Sequence, residues 1–226
     1  MRLFRPGFLA GCLYPEALFR VKTTEKILYL TFDDGPDPVS TPQLLDILKE
    51  HDIKALFFCN GRAAEKYPDL INQILKGGHL IGNHGYNHFD GWRTDSVKYI
   101  NDVTRASKYT SDKIFRPPFG RLSFKQKRLL KSYKLVFWDI MAYDFDVTFG
   151  SVNCLKVLKK KIRTGSIIVL HDTASSTVTT IIGEFLTFAV NEGYRFELIN
   201  VFAGLMSKPG IMSLLKTPFQ TSSRLY

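Results

Sequence analysis

From residue 27 onward, short runs of β-branched and aromatic residues alternate with longer stretches whose apolar positions return every three or four residues. The short runs predict strands over 27–32, 54–59, 79–83, 114–116, 134–138, 166–171 and 194–199. The longer stretches predict helices near 41–51, 62–76, 95–111, 123–132, 151–163 and 178–192. Ser40-Thr41-Pro42-Gln43 combines a capping-box pattern with an early proline and opens the first of these. Gly77-Gly78, Gly165 and Gly193 stand where helices should stop.

Strand and helix alternating along the whole chain argue for parallel β-α-β units, and seven strands are enough to curl into a barrel. An open doubly wound sheet is the alternative. A complete eightfold barrel takes about 250 residues. With 226 residues, the expectation is an α/β single domain built as a distorted (β/α) barrel of about seven parallel strands. Residues 1–25 are expected to form an N-terminal arm packed on the barrel, 26–200 the main domain and 201–226 a C-terminal extension.

Composition narrows the partners more than the chemistry. The 45% of hydrophobic residues suffice for one sizeable core, and a net charge of +10 favours anionic surroundings. The Lys and Arg residues are scattered and no nucleic-acid module is recognisable, so no nucleic-acid partner is expected. Cys12, Cys59 and Cys154 are odd in number and far apart, which argues against a disulfide framework and for small buried hydrophobes. No apolar run is long enough to span a bilayer, leaving peripheral envelope contact as the membrane option. Leu9-Ala10-Gly11-Cys12 is similar to a lipobox, but only residues 1–8 precede it and Pro6 interrupts them. A secretion signal needs an apolar region of about 7–15 residues. A packed arm is therefore expected rather than lipid anchoring at Cys12, and a cytoplasmic or inner-envelope location is favoured.

The out-of-place polar residues sit just beyond the C-terminal ends of the strands, where β/α barrels build their sites. Asp33 and Asp34 leave the first strand as adjacent carboxylates before a Gly-Pro turn; pointing differently, one can bind a cation while the other takes a proton. A turn in which both cap backbone amides is an even alternative. His84 and His88 stand four apart, within reach of one ion, and one carboxylate added to them makes a His2Asp set with open positions for water and substrate. His51 and His79 lack such a partnership and read as structural. Arg116 ends a strand before a proline-stiffened loop able to present a fixed backbone N–H, as an oxyanion hole needs. An apolar strand delivers His171 to the same rim.

Read together and in order, TFDDGP, HGYNH, RPPFG, WDIMAYDF and IVLHD resemble the polysaccharide deacetylase family with the NodB-homology domain, carbohydrate esterase family 4. The resemblance covers roughly residues 26 to 200. It implies a distorted barrel and hydrolysis of N-acetyl, sometimes O-acetyl, groups on sugars. Position by position, it implies that Asp34, His84 and His88 ligate one divalent ion, with zinc first and cobalt, nickel, manganese or iron as alternatives. Asp33 would be the general base, oriented by Arg116. The Phe119 backbone N–H would hold the oxyanion, and His171 would protonate the leaving amine with Asp144 as its partner. Trp138, Phe145 and Val169 would line the substrate pocket, Val169 because strand alternation places it on the face of His171.

Three positions depart from the family pattern. Gly85 replaces a Ser or Thr that could steady the metal loop, Phe119 stands where Tyr is frequent, and Phe145 replaces a Trp. Asp139 competes with Asp144 as partner of His171. The resemblance implies an acetylated glycan or oligosaccharide substrate, with N-acetylglucosamine units of peptidoglycan or chitin-like chains leading and acetylated xylan as the O-acetyl alternative. A glycan-binding member that has lost activity and a metal-dependent phosphoesterase are the rivals. Neither resemblance nor residues indicate an oligomeric state.

Overall fold

The computed structural model describes residues 2–6 and 8–199. The sequence-predicted C-terminal extension, 201–226, lies outside the described residues. Eight strands and eight α-helices follow in the order α1 (Phe8–Leu13), β1 (Ile27–Asp33), α2 (Ser40–Glu50), β2 (Leu56–Cys59), α3 (Gly61–Lys66), α4 (Pro68–Lys76), β3 (Leu80–Asn83), α5 (Ser96–Ala106), β4 (Ile114–Phe115), α6 (Phe124–Leu129), β5 (Lys134–Leu135), β6 (Ile140–Met141), α7 (Ser151–Lys161), β7 (Ile167–His171), α8 (Val178–Asn191) and β8 (Arg195–Phe196). Every pairing between these strands is parallel. Seven strands run β5-β4-β3-β2-β1-β7-β6, and β8 pairs with the start of β1. The expected α/β barrel of about seven strands is therefore present as a half-barrel.

Strand alternation sorts the core into an inner and an outer layer. Leu28, Leu30, Phe32, Ile168 and Leu170 face outward and pack with α2, α7 and α8. Ile27, Tyr29, Leu56, Phe58, Ile114, Val136 and Ile167 fill the interior. Above this interior plug, the same inward positions on β1 and β7 become Thr31, Asp33 and His171, so polar chemistry begins where the apolar filling ends.

Several elements differ from the periodicity-based expectation. The 62–76 helix is two helices, because Asn60 caps the first and Pro68, at the first position of the second, cannot continue it. The 134–138 strand ends at Leu135, and the unpredicted β6 follows it. Between them Leu18 takes the place of a strand neighbour, exchanging backbone hydrogen bonds with Leu135 and Phe137. The α2 capping box does not form. Asp37 accepts from the Val39 and Ser40 N–H groups instead, because the Ser40 and Thr41 hydroxyls are turned to the buried Asp172. Cys59 and Cys154 are buried as expected, whereas Cys12 is exposed on the short α1. Among the described residues, no helix is long and apolar enough to cross a membrane.

The N-terminal segment lies on the β6 edge. Met141 N–H donates to the Phe4 carbonyl at 3.0 Å, Tyr143 Oη bridges the Leu3 N–H and carbonyl at 3.0 Å each, and Arg2 pairs with Asp146 at 2.6 Å. These contacts tie the arm to the loop that carries Asp144.

Candidate active site

Asp33 is the last residue of β1, and its buried carboxylate accepts from Arg116 Nη1 at 2.6 Å. Arg116 is fully buried, so each of its donors needs a partner. Nη1 also reaches Thr31 Oγ1 at 2.8 Å, Nη2 the Phe137 carbonyl at 2.7 Å and Nε the Val136 carbonyl at 3.1 Å. Four hydrogen bonds thus fix the guanidinium and, through it, Asp33. Burial pulls the arginine below its ordinary value while Asp33 opposes that shift.

Asp34 leaves the strand with φ 76°, which turns its carboxylate away from Asp33 and toward two imidazoles. Asp34 Oδ1 lies 3.1 Å from His88 Nε2 and 3.6 Å from His84 Nε2. Burial opposes the charged form, but the His88 hydrogen bond and the His84, His171 and His88 charges hold this carboxyl well below the usual carboxylate range. His84 Nδ1 donates to the Arg116 carbonyl at 2.8 Å, which leaves the Nε2 lone pair facing Asp34. One ligand atom each from Asp34, His84 and His88 falls within 4.8 Å of the others. Three converging donors, one anionic, with the His84 tautomer set by a carbonyl behind it, fit a divalent ion with open positions.

On the opposite flank, His171 ends β7 in register with Asp33. Its Nδ1 lies 2.9 Å from Asp144 Oδ1, and Asp144 Oδ2 accepts the His171 N–H at 2.7 Å. Burial disfavours the imidazolium, but the Asp144 charge and hydrogen bond, reinforced by Asp34 and Asp33, outweigh it and raise His171 to about 9. Asp139 is not its partner. That carboxylate is occupied by Arg163 and by Ser166 Oγ at 2.7 Å.

The remaining candidates surround these groups. Phe119 has φ 59°, its ring stands edge-on to His88 at 4.6 Å, and its backbone N–H donates to no acceptor among the described residues. Phe145 stands edge-on to His171 at 4.7 Å. Trp138 lies under Gly120, where a Cβ would meet its ring at 2.5 Å. Val169 is buried in register with Thr31 and Met141, on the inner face two residues before His171. The two other histidines serve structure: His79 Nδ1 accepts the Ala55 N–H at 3.1 Å, with burial and Lys54 lowering it to about 4, and His51 bonds the Ile47 carbonyl.

Sequence reasoning passed over three supporting residues. Asp102, buried on α5, accepts the Tyr86 N–H at 2.7 Å, the Asn87 N–H at 3.1 Å and Asn87 Nδ2 at 2.6 Å. Asn83 accepts the Gly85 N–H at 2.8 Å. Together they shape the 84–88 loop. Asp172 accepts from Ser40 and Thr41 and donates its backbone N–H to the Asp33 carbonyl, and burial raises its carboxyl to about 6. Asp172 is the last letter of IVLHD and was visible as an acidic residue after a buried strand; Asp102 had no signal beyond a carboxylate inside an amphipathic helix.

The profile of the polysaccharide deacetylase family matches residues 20–138. The chain is 32% identical to a peptidoglycan-N-acetylglucosamine deacetylase of Bacillus cereus over 192 residues, 80% of this chain and 90% of that protein. It is 30% identical to the peptidoglycan-N-acetylmuramic acid deacetylase PdaA of Bacillus subtilis over 197 residues, 82% and 74% of the two chains. Its fold superposes on the crystal structure of the Bc1960 peptidoglycan N-acetylglucosamine deacetylase in complex with 4-naphthalen-1-yl-N-oxidanyl-benzamide with a TM-score of 0.76 and 27% identity, covering 81% of this chain and 91% of that one. The chain belongs to the polysaccharide deacetylase family of metal-dependent glycan hydrolases, carbohydrate esterase family 4.

Proposed function

We propose that the chain removes N-acetyl groups from N-acetylglucosamine-containing glycans, peptidoglycan or chitin-like, releasing acetate and leaving the free amine. The observation that carries this reading is the convergence on one rim of a buried carboxylate fixed by Arg116, a His2Asp cluster and a histidine raised to about 9 by its own carboxylate. Asp34, His84 and His88 would hold the divalent ion, zinc by preference for that donor set. When bound, the ion supplies Lewis-acid polarisation and acidifies water.

Asp33 takes the proton from the attacking water, its carboxylate held in place by the Arg116 guanidinium. As the water oxygen bonds to the acetyl carbon, the carbonyl oxygen becomes an oxyanion that accepts from the Phe119 N–H. Collapse of that centre breaks the C–N bond. His171, charged at neutral pH, gives its proton to the departing nitrogen, and Asp144 holds the ring in place for that transfer. Phe145, Trp138 and Val169 bound the acetyl side of the pocket. The B. cereus and B. subtilis relatives, named for N-acetylglucosamine and N-acetylmuramic acid deacetylation, support N-acetyl over O-acetyl chemistry.

Acetate release by the zinc-reconstituted protein from N-acetylglucosamine oligomers, peptidoglycan fragments and acetylated xylan tests the proposal. We expect release from the N-acetylated substrates, falling at least about 100-fold in Asp33→Asn and likewise in His84→Ala. Release from xylan alone reassigns the chain to O-acetyl esters. Activity surviving both substitutions sinks the mechanism, and silence of the zinc-loaded protein on every substrate sinks the assignment.

A further inference from the structure

Beyond His88 the rim continues as a row of exposed side chains, of which the steps above use only the backbone N–H of Phe119. Phe119 is 56% exposed and Trp92 66% exposed. Arg121 lies between them, its Cζ 5.8 Å from the Phe119 ring centroid and 5.2 Å from that of Trp92. The arginine is pinned: Nη1 donates to Asp90 Oδ2 at 2.5 Å, and the same aspartate accepts the Trp92 N–H at 3.0 Å.

The backbone beneath the row is fixed from the core side. Gln126, fully buried, donates Nε2 to the Gly91 carbonyl at 2.8 Å and the Thr94 carbonyl at 3.2 Å, while its Oε1 accepts the Ser123 N–H at 2.9 Å. One side chain thereby stitches the 90–94 loop to the segment after Phe119. Gly91 has no room for a side chain, since a Cβ would fall 2.3 Å from the Arg121 carbonyl oxygen. Trp92 is therefore a large apolar ring presented to water on a braced loop rather than on a slack one. Exposed apolar surface of that kind, continuous with a reactive site, marks a place where ligand surface is to be covered.

The chemistry of the row selects a sugar ring. Aromatic faces take the apolar C–H face of a pyranose, while the Arg121 donors not used by Asp90 suit hydroxyl or acetamido oxygens. Asp90 balances the arginine charge, so a neutral hexosamine unit fits better than a uronate. On the deacetylase reading above, on which this inference rests, we propose that Phe119, Arg121 and Trp92 form a subsite for a sugar unit flanking the one deacetylated, and that Trp92 makes the enzyme sensitive to glycan chain length.

The zinc-reconstituted Asp33→Asn protein binds without turning over and serves for calorimetric titration with N-acetylglucosamine oligomers from dimer to pentamer. In this background, we expect Trp92→Ala to cut the affinity gained from dimer to tetramer about tenfold, on the scale of 1.4 kcal/mol per decade. Trp92→Tyr should keep most of that gain. Trp92 is one of two tryptophans and the more exposed ring at this end of the site, so the change in indole emission on tetramer binding should be smaller in Trp92→Tyr, which leaves only the Trp138 response. An unchanged length dependence in Trp92→Ala, alongside oligomer turnover by the Asp33-containing protein, overturns the subsite and leaves the deacetylase reading standing. A protein that neither binds nor deacetylates any oligomer overturns both.

Discussion

Asp34, His88, Phe119 and Tyr143 all have positive φ, and Asp52 is the only other non-glycine residue to do so among those described. Such a backbone costs on the order of 1–3 kcal/mol per residue and persists only where the surroundings over-determine it. Here two of the strained residues are candidate ligands, one offers the unused N–H, and the fourth precedes Asp144. The strain lies where direction matters most: Asp34 must face away from Asp33 although the two are adjacent. The His171–Asp144 pair gives the sharpest residue-level expectation. His171 is raised from 6.5 to about 9, so the folded chain keeps its proton until pH approaches 9, and the stability the pair contributes is full below about pH 6.5 and is lost as pH rises through 9. On the proposed mechanism, in which His171 is the acid, activity is therefore lost on the basic side. Asp144→Asn removes the charge that raises this value, and the basic limb of the kcat/KM profile should move to lower pH, with kcat falling even at its optimum. A basic limb that stays in place in Asp144→Asn shows that another group sets it.

At the level of elements, the candidate metal loop depends on a helix that brings no candidate ligand. Between His84 and His88 stands Gly85, which adopts φ 75° with Asp102 3.1 Å from where its Cβ would be. Asp102 accepts from two successive backbone N–H groups and from Asn87, so α5 holds the turn that presents His88. Asp102→Asn keeps the shape but loses one acceptor oxygen. It should weaken zinc affinity about 10–100-fold, measured by competition with a chromophoric chelator, while leaving the far-UV spectrum unchanged. Affinity within twofold of the parent shows that the loop keeps its shape without the carboxylate. The same loop shows how far sequence reading reaches. Most of the strands and the converging Asp33, Asp34, His84, His88, Arg116 and His171 were legible, because apolar periodicity places strand ends and their polar residues stand out against it. The braces were not: Asp102 and Asp172 look like ordinary helix and loop carboxylates until the fold buries them. Nor was the split of the 134–138 strand visible, since Leu18, more than a hundred positions earlier, supplies the neighbour that ends it.

For the molecule as a whole, the candidate metal centre gathers residues from the ends of β1 and β3, and Arg116, just past β4, is hydrogen-bonded to both groups of residues. Unfolding separates these ligands, so an ion that binds only the folded chain stabilises it in proportion to its excess over Kd. At about 100 times Kd that stabilisation is about 2.7 kcal/mol, and for a chain of this size each kcal/mol moves Tm by about 2–4 °C. Zinc should therefore raise Tm of the chelator-stripped protein by about 5–10 °C. His88→Asn, which suits the positive φ at that position while removing the imidazole, should abolish most of the shift. Asp144→Asn, which touches His171 and not the candidate ligands, should retain it. A zinc shift that is the same in His88→Asn as in the parent would place the ion elsewhere on the chain. The comparison separates a folded-state metal site from the general salting effect of divalent ions, because the latter treats all three proteins alike.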